Sequence, residues 1–156
     1  MKIKDYNLSI SSIVTDDPKE SLAKIRDKYA NAIIQMIDID AIVDKEHIEE
    51  MVKLALEAYE RNVMIADHIE MELLLRIACT NQIYKAIEFA GAKPNKLAIL
   101  LILSREHIES EEYEIEYNKD RIDKLIKYHN IKEDELDAVL DHKLTSILIE
   151  KANLIY

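Results

Sequence analysis

Apolar residues along this chain recur with two spacings. Alternating or unbroken runs mark strands, and stripes three and four residues apart mark helices. Leu8 to Val14 reads as a first strand. Asp17-Pro18-Lys19-Glu20 then combines an N-cap, proline at the first helical position and glutamate two residues further on, which predicts a helix with Leu22, Ile25 and Tyr29 inward. In Ile33 to Val43 the acids Asp38 and Asp40 alternate with Ile37, Ile39 and Ala41, the pattern of a half-buried strand. Asp44 is placed to cap a long helix with Ile48, Met51, Val52, Ala55, Ala58 and Tyr59 on one side, ending near Asn62.

The strongest local signals lie between Asp67 and Ser104. Asp67 followed by Glu70 has the spacing of a capping box. The helix it predicts carries Ile69, Met71, Leu73, Leu74, Leu75, Ile77 and Ala78, apolar in nearly every direction, which implies burial on most sides or a partner on one. Thr80 or Asn81 then caps a second helix with the stripe Ile83, Ala86, Ile87, Ala90. Gly91, the only glycine, stands where a left-handed C-cap would need one. Lys93-Pro94 blocks re-entry into helix, and Leu97 to Leu103 is a short apolar run suited to a central strand.

Beyond it, Tyr113, Ile115 and Tyr117 alternate with Glu114 and Glu116 as a further strand in an acid-rich connector, whose charge suits a sheet edge. Asn118 caps a helix with Ile122, Leu125 and Ile126 inward. A last helix is expected from about Lys132 to Leu154, about 33 Å long at 1.5 Å per residue. Its stripe is Leu136, Leu140, Leu144, Ile147 and Leu148, and a second line of Val139, Ile149, Ala152 and Ile155 widens the face enough for part of it, notably Leu144, Ile147 and Leu148, to meet a partner. The expected fold is α+β: a small, mainly antiparallel sheet of about four strands packed with about six helices, the C-terminal one long, in a single domain over residues 1–156.

Composition agrees with a globular chain: 156 residues, 49% hydrophobic and 33% charged. No apolar run nears the roughly 18 residues of a membrane span, and the N-terminus lacks a signal-peptide core, so a cytoplasmic protein is expected. A net charge of -10 opposes indiscriminate binding to nucleic acid or anionic membrane. The charge is uneven, however. Between Leu73 and Arg105 the cations Arg76, Lys85, Lys93, Lys96 and Arg105 meet Glu88 as the sole acid, a positive stretch that phosphate could contact if those side chains share a side.

One glycine is too few for a phosphate-cradling loop, a dinucleotide fingerprint or a nucleophile elbow. The single Cys79 reads as a buried thiol, raised rather than lowered in pKa by an apolar helix. His47, His107, His129 and His142 are dispersed and read as solvated or capping. A small metal-assisted hydrolytic enzyme built on Asp38, Asp40, His68 and Glu72 is the rival reading, although two pairs of ligands do not make a site. No cofactor, resident metal or small-molecule substrate is expected.

The segment QMIDIDAIVDKEHIEEMVKLALEAYE followed by MELLLRIACTNQIYKAIEFAGAK resembles the small kinase-binding, tRNA-binding subunit of the KEOPS (EKC) complex, the TPRKB family. The residues carrying the resemblance are Asp38 to Val43, His47 before a helix, Glu72 to Leu75, Asn81-Gln82-Ile83, Ala86-Ile87 and Gly91. It implies a non-catalytic subunit that binds and regulates the complex's small atypical kinase/ATPase. It also implies help in holding tRNA by its 3' CCA end during threonylcarbamoyladenosine modification. On that resemblance Arg76, Asn81, Gln82 and Lys85 become the expected RNA contacts, cations for phosphate and amides for base edges or sugar hydroxyls.

Overall fold

A computed structural model describes residues 2–109, 112–137 and 143–155. Its elements are β1 (Lys2–Ile3), β2 (Tyr6–Ile13), α1 (Pro18–Lys28), β3 (Ile33–Asp38), a 3-10 turn (Ile39–Ala41), α2 (Lys45–Glu60), α3 (Ile69–Ala78), α4 (Ile83–Ala90), β4 (Ala98–Ser104), α5 (Lys119–Tyr128), α6 (Glu133–Asp137) and α7 (Leu144–Asn153). The strands form one antiparallel sheet in the order β1-β2-β4-β3, so the α+β architecture is as the apolar pattern predicts.

The register sets the layers. Ile10 opposes Leu101, Leu8 opposes Leu103, and Ile37 opposes Ile99, which puts these side chains on one face of the sheet. There they bury against Met51, Val52, Ala55 and Leu56 of α2 and Leu73, Leu75 and Ile77 of α3. The other face carries Ile34, Met36 and Ile102. α1 packs against β3, with an Arg26 guanidinium N–H donating to the Ile34 carbonyl at 3.2 Å. A second, smaller cluster gathers Leu125, Ile131, Leu144, Ile147 and Leu148 from α5, α7 and the segment between them.

Three helices begin as their caps predict. The side chains of Asp17, Asp44 and Asn118 accept from the backbone N–H groups of Glu20, His47 and Arg121 at 3.1, 2.8 and 2.9 Å. Asp44 also accepts from the Thr145 hydroxyl at 3.0 Å, tying α2 to α7.

Several expectations change. β3 ends at Asp38, and Ile39–Ala41 turns into a 3-10 helix, because the Asp38 side chain caps that turn through the Asp40 N–H at 3.0 Å. The helix expected from Asp67 instead has His68 as its N-cap, without a side-chain bond. Glu72 instead fastens the loop that leads into the helix, its Oε1 accepting from the N–H groups of Ile65 and Ala66 at 2.6 and 3.0 Å. Gly91 is not left-handed: its φ is -69° and ψ 145°. Glycine is needed there because a Cβ would stand 2.6 Å from the Ile87 carbonyl oxygen. The left-handed C-cap belongs to Cys79, at φ 52° and ψ 44°.

Residues 112–118 are not a strand; the fourth strand is β1. The Tyr113 N–H still donates to the Ile10 carbonyl at 2.9 Å, and Tyr113 and Ile115 pack on the core while Glu114 and Glu116 are exposed. The alternation thus marks inward and outward sides of a strap rather than a ladder. The C-terminal helix is present but begins at Leu144, since Lys143 has φ -80° and ψ 111° and cannot continue a helix from α6. Val139, Leu140 and His142 lie outside the described residues. No helix among the described residues is long and apolar enough to cross a membrane.

Candidate functional site

The joint between α3 and α4 is built from the backbone outward. Left-handed Cys79 lets its own N–H and that of Thr80 reach back to carbonyls of the last turn of α3, Thr80 to Leu75 at 3.2 Å. The Thr80 hydroxyl then accepts from the Gln82 N–H at 3.2 Å, which starts α4 with Asn81 and Gln82 exposed.

At 100° per residue α4 divides into three faces. Ala86 and Ala90 are fully buried. Ile83, Ile87 and Tyr84 fall within one outward arc and stay 45%, 48% and 65% exposed. Lys85, Glu88 and Phe89 turn to the third side and line an open cavity of about 790 Å³.

The far wall of that cavity comes from Tyr128 and His129 at the end of α5 and Lys151 and Leu154 on and after α7, with Cys79 and Thr80 at the joint. Phe89 and Tyr128 stack with ring centroids 3.5 Å apart and planes within 1°, and His129 sets its ring edge-on to both at 5.5 and 4.8 Å. Lys85 makes no ion pair among the described residues. Burial pushes the Cys79 thiol up to about 12, which favours the protonated thiol over the thiolate. Its Sγ lies 3.5 Å from the Arg76 carbonyl and 3.7 Å from that of Leu148.

Behind this wall His47 is fully buried, not solvated, and its Nδ1 accepts from the Val43 N–H at 3.1 Å. Burial lowers His47 to about 3 and His129 to about 4, so both rings are neutral at ordinary pH. The Nε2 atoms of both are buried without a hydrogen-bond partner among the described residues.

The positive stretch of the sequence does not form one surface. Arg76 is buried, its guanidinium bonded to the Ala152 carbonyl at 2.9 Å and to Glu72 at 3.2 Å, so it faces the interior rather than RNA. Lys93 and Lys96 both hold Asp38 at 2.9 Å, and Lys96 also holds Asp40 at 2.7 Å. Burial alone would raise Asp38, but the bonds from Lys96, Lys93 and the Asp40 N–H outweigh it and hold the carboxyl below its ordinary value. Arg105 sits over the Tyr6 ring at 5.3 Å. Of the expected RNA contacts, Asn81, Gln82 and Lys85 are exposed together at the joint.

Leu144, Ile147 and Leu148 are likewise core residues, buried against Leu125 and Ile131 of the same chain, and present no open face. The carboxylates of the rival metal reading are occupied: Asp38 by two lysines, Glu72 by two backbone N–H groups and Arg76. His68 is the N-cap of α3, and no group of three or more His, Cys, Asp or Glu able to hold a metal ion occurs among the described residues.

Phe89, Tyr128, His129 and Lys151 had no signal of their own in the sequence, because each is ordinary locally and only the fold brings α4, α5 and α7 together. No curated protein matches the chain. A family model described as kinase binding protein CGI-121 matches residues 13–149, which span β2's last residue to α7. That match covers nearly all of the chain, including the joint, α4 and the α5 wall of the cavity, and the chain therefore belongs to the kinase binding protein CGI-121 family.

Proposed function

We propose that this chain is the non-catalytic subunit of a cytoplasmic KEOPS complex, binding and regulating its small atypical kinase/ATPase and helping to hold tRNA for threonylcarbamoyladenosine modification. Membership of a kinase-binding family supports the first half. The observation that carries the RNA half is the α3–α4 joint, where Lys85, without an ion pair among the described residues, opens onto a cavity beside a stacked aromatic wall. Lys85 serves a phosphate, exposed Asn81 and Gln82 serve base edges or sugar hydroxyls, and the 44% exposed Tyr128 offers a ring face to an unpaired base. An unpaired 3' CCA end supplies such bases, whereas duplex RNA does not. Arg76 has no part in this, since its guanidinium is spent on Glu72 and Ala152.

Titrating labelled tRNA with and without its CCA end, with the kinase present, tests the reading. Tighter binding of the complete tRNA is expected, together with weaker retention by Lys85→Glu at unchanged kinase co-elution. Equal binding of both tRNAs, or none, contradicts it.

A further inference from the structure

We infer that the groove at the start of α5 binds a free aliphatic α-amino acid, its carboxylate held by Arg121 and Lys124 and its ammonium by Glu116 and Asp120. The reason lies in Arg121. This side chain is only 8% exposed, yet it makes no ion pair among the described residues. Its Nη2 donates to the carbonyls of Val43 and Glu116 at 3.0 and 2.9 Å. Its Nε is buried without a partner among the described residues, and its Nη1 bonds to none of them. Arg76, also buried, shows the usual arrangement, with Glu72 against its guanidinium at 3.2 Å. A guanidinium withdrawn from water without a countercharge is costly. Arg121 lines a groove of about 390 Å³, within the roughly 300–1,000 Å³ of small-molecule sites. A ligand anion placed there supplies the countercharge that the fold does not.

The rest of the groove selects the molecule. Lys124 lines it without an ion pair among the described residues and adds a second cation for the anion. Glu116 and Asp120, both exposed, line it too, whereas Asp40 is already held by Lys96 at 2.7 Å. Two carboxylates at the rim repel a phosphate or a polyanion such as RNA, and supply partners for an ammonium. Ile39 and Leu97 give the groove an apolar side. An aliphatic α-amino acid carries the matching set, a carboxylate and an ammonium on one carbon with a side chain for Ile39 and Leu97. Because the acidic partners are exposed, binding is expected in the millimolar range. The groove shares no lining residue with the cavity beside Lys85 and Phe89, so filling one leaves the other open.

The test titrates the full chain with L-valine and follows its backbone amide shifts by NMR, alongside isovalerate, which lacks the ammonium, and isobutylamine, which lacks the carboxylate. Saturable shifts gathered over residues 116–124 are expected with L-valine. Either half-molecule is expected to bind about 10-fold more weakly or worse, the loss of one charge-assisted contact. Glu116→Gln/Asp120→Asn, at exposed positions, is expected to weaken L-valine by about 10-fold while isovalerate binds no worse. Arg121→Gln is expected to abolish binding of both; if its lost bonds to Val43 and Glu116 unfold the chain, seen by circular dichroism, the double carboxylate variant decides alone. L-valine shifts that do not saturate, or that gather elsewhere, overturn the site. Isovalerate binding as well as L-valine makes it a plain anion site, isobutylamine doing so makes it an acidic patch, and either result overturns the inference. Equal L-valine affinity in wild type and the double carboxylate variant overturns it as well.

Discussion

Helices α3 and α4 follow one another across a four-residue joint, residues 79–82, and both are rich in apolar residues, leucine and isoleucine in α3 and isoleucine and alanine in α4. Their fates differ. α3 lies against α2, β3, α4 and α7 and buries everything from Glu72 onward, including two charged side chains. α4 meets α3, β3 and the 3-10 turn, fully burying only Ala86 and Ala90 and half-burying Phe89, and leaves two isoleucines and a tyrosine in water. The difference is position rather than composition. A helix enclosed on several sides can use every apolar residue for stability, whereas one lying on the surface keeps a stripe that only another molecule can cover.

The widest gap between the two helices should appear when α3's buried charges are disturbed. Glu72 caps the chain entering α3 through two backbone N–H groups and neutralises buried Arg76, so Glu72→Ala strands a cation and two donors. Breaking a buried pair in this way costs about 3–5 kcal/mol, read as an early urea midpoint. Next comes the matched apolar pair. Leu75→Ala in α3, fully buried, should cost about 2–5 kcal/mol. Ile87→Ala in α4 should change stability by no more than about 0.5 kcal/mol, and equal losses would erase the distinction drawn here.

A smaller effect concerns the interior behind α4. His47 and His129 titrate at about 3 and 4 in the fold against 6.5 unfolded, so on acidification the unfolded chain takes up protons first. Their contribution is fully present above about pH 6.5 and is lost as the pH falls towards 4 and then 3. Urea midpoints between pH 7 and 4 should fall, and His47→Gln should flatten that slope even if it lowers stability at pH 7. An unchanged slope means the ring is wetter than its burial suggests.

How far the sequence reveals this molecule depends on how local each determinant is. Asp17, Asp44 and Asn118 were legible as caps because the bond each makes spans three residues. β4 was legible because a run of apolar residues in a sheet's interior needs no partner to be recognised. Asp67 misled because a capping box and a loop acid read alike, and the N–H groups of residues 65 and 66 found Glu72 through the way the loop folds back. Gly91 was rightly singled out for the wrong reason, close approach to the Ile87 carbonyl rather than handedness. At the joint, the exposure of Asn81, Gln82 and Lys85 was within reach of sequence reasoning. Arg76 was not separable from them, since burial is a property of α7's position as much as of α3. Leu144, Ile147 and Leu148 fail the other way: their wide apolar stripe is what a partner surface and a second core both require.

The most direct test of the contrast between α3 and α4 is amide hydrogen exchange of the chain alone and in complex with its kinase. Added protection across residues 83–90 is predicted, with α3 slow in both states because it is already enclosed. Protection that instead appears across residues 144–153, with α4 unchanged, would contradict the assignment of α4 as the open face and α7 as core.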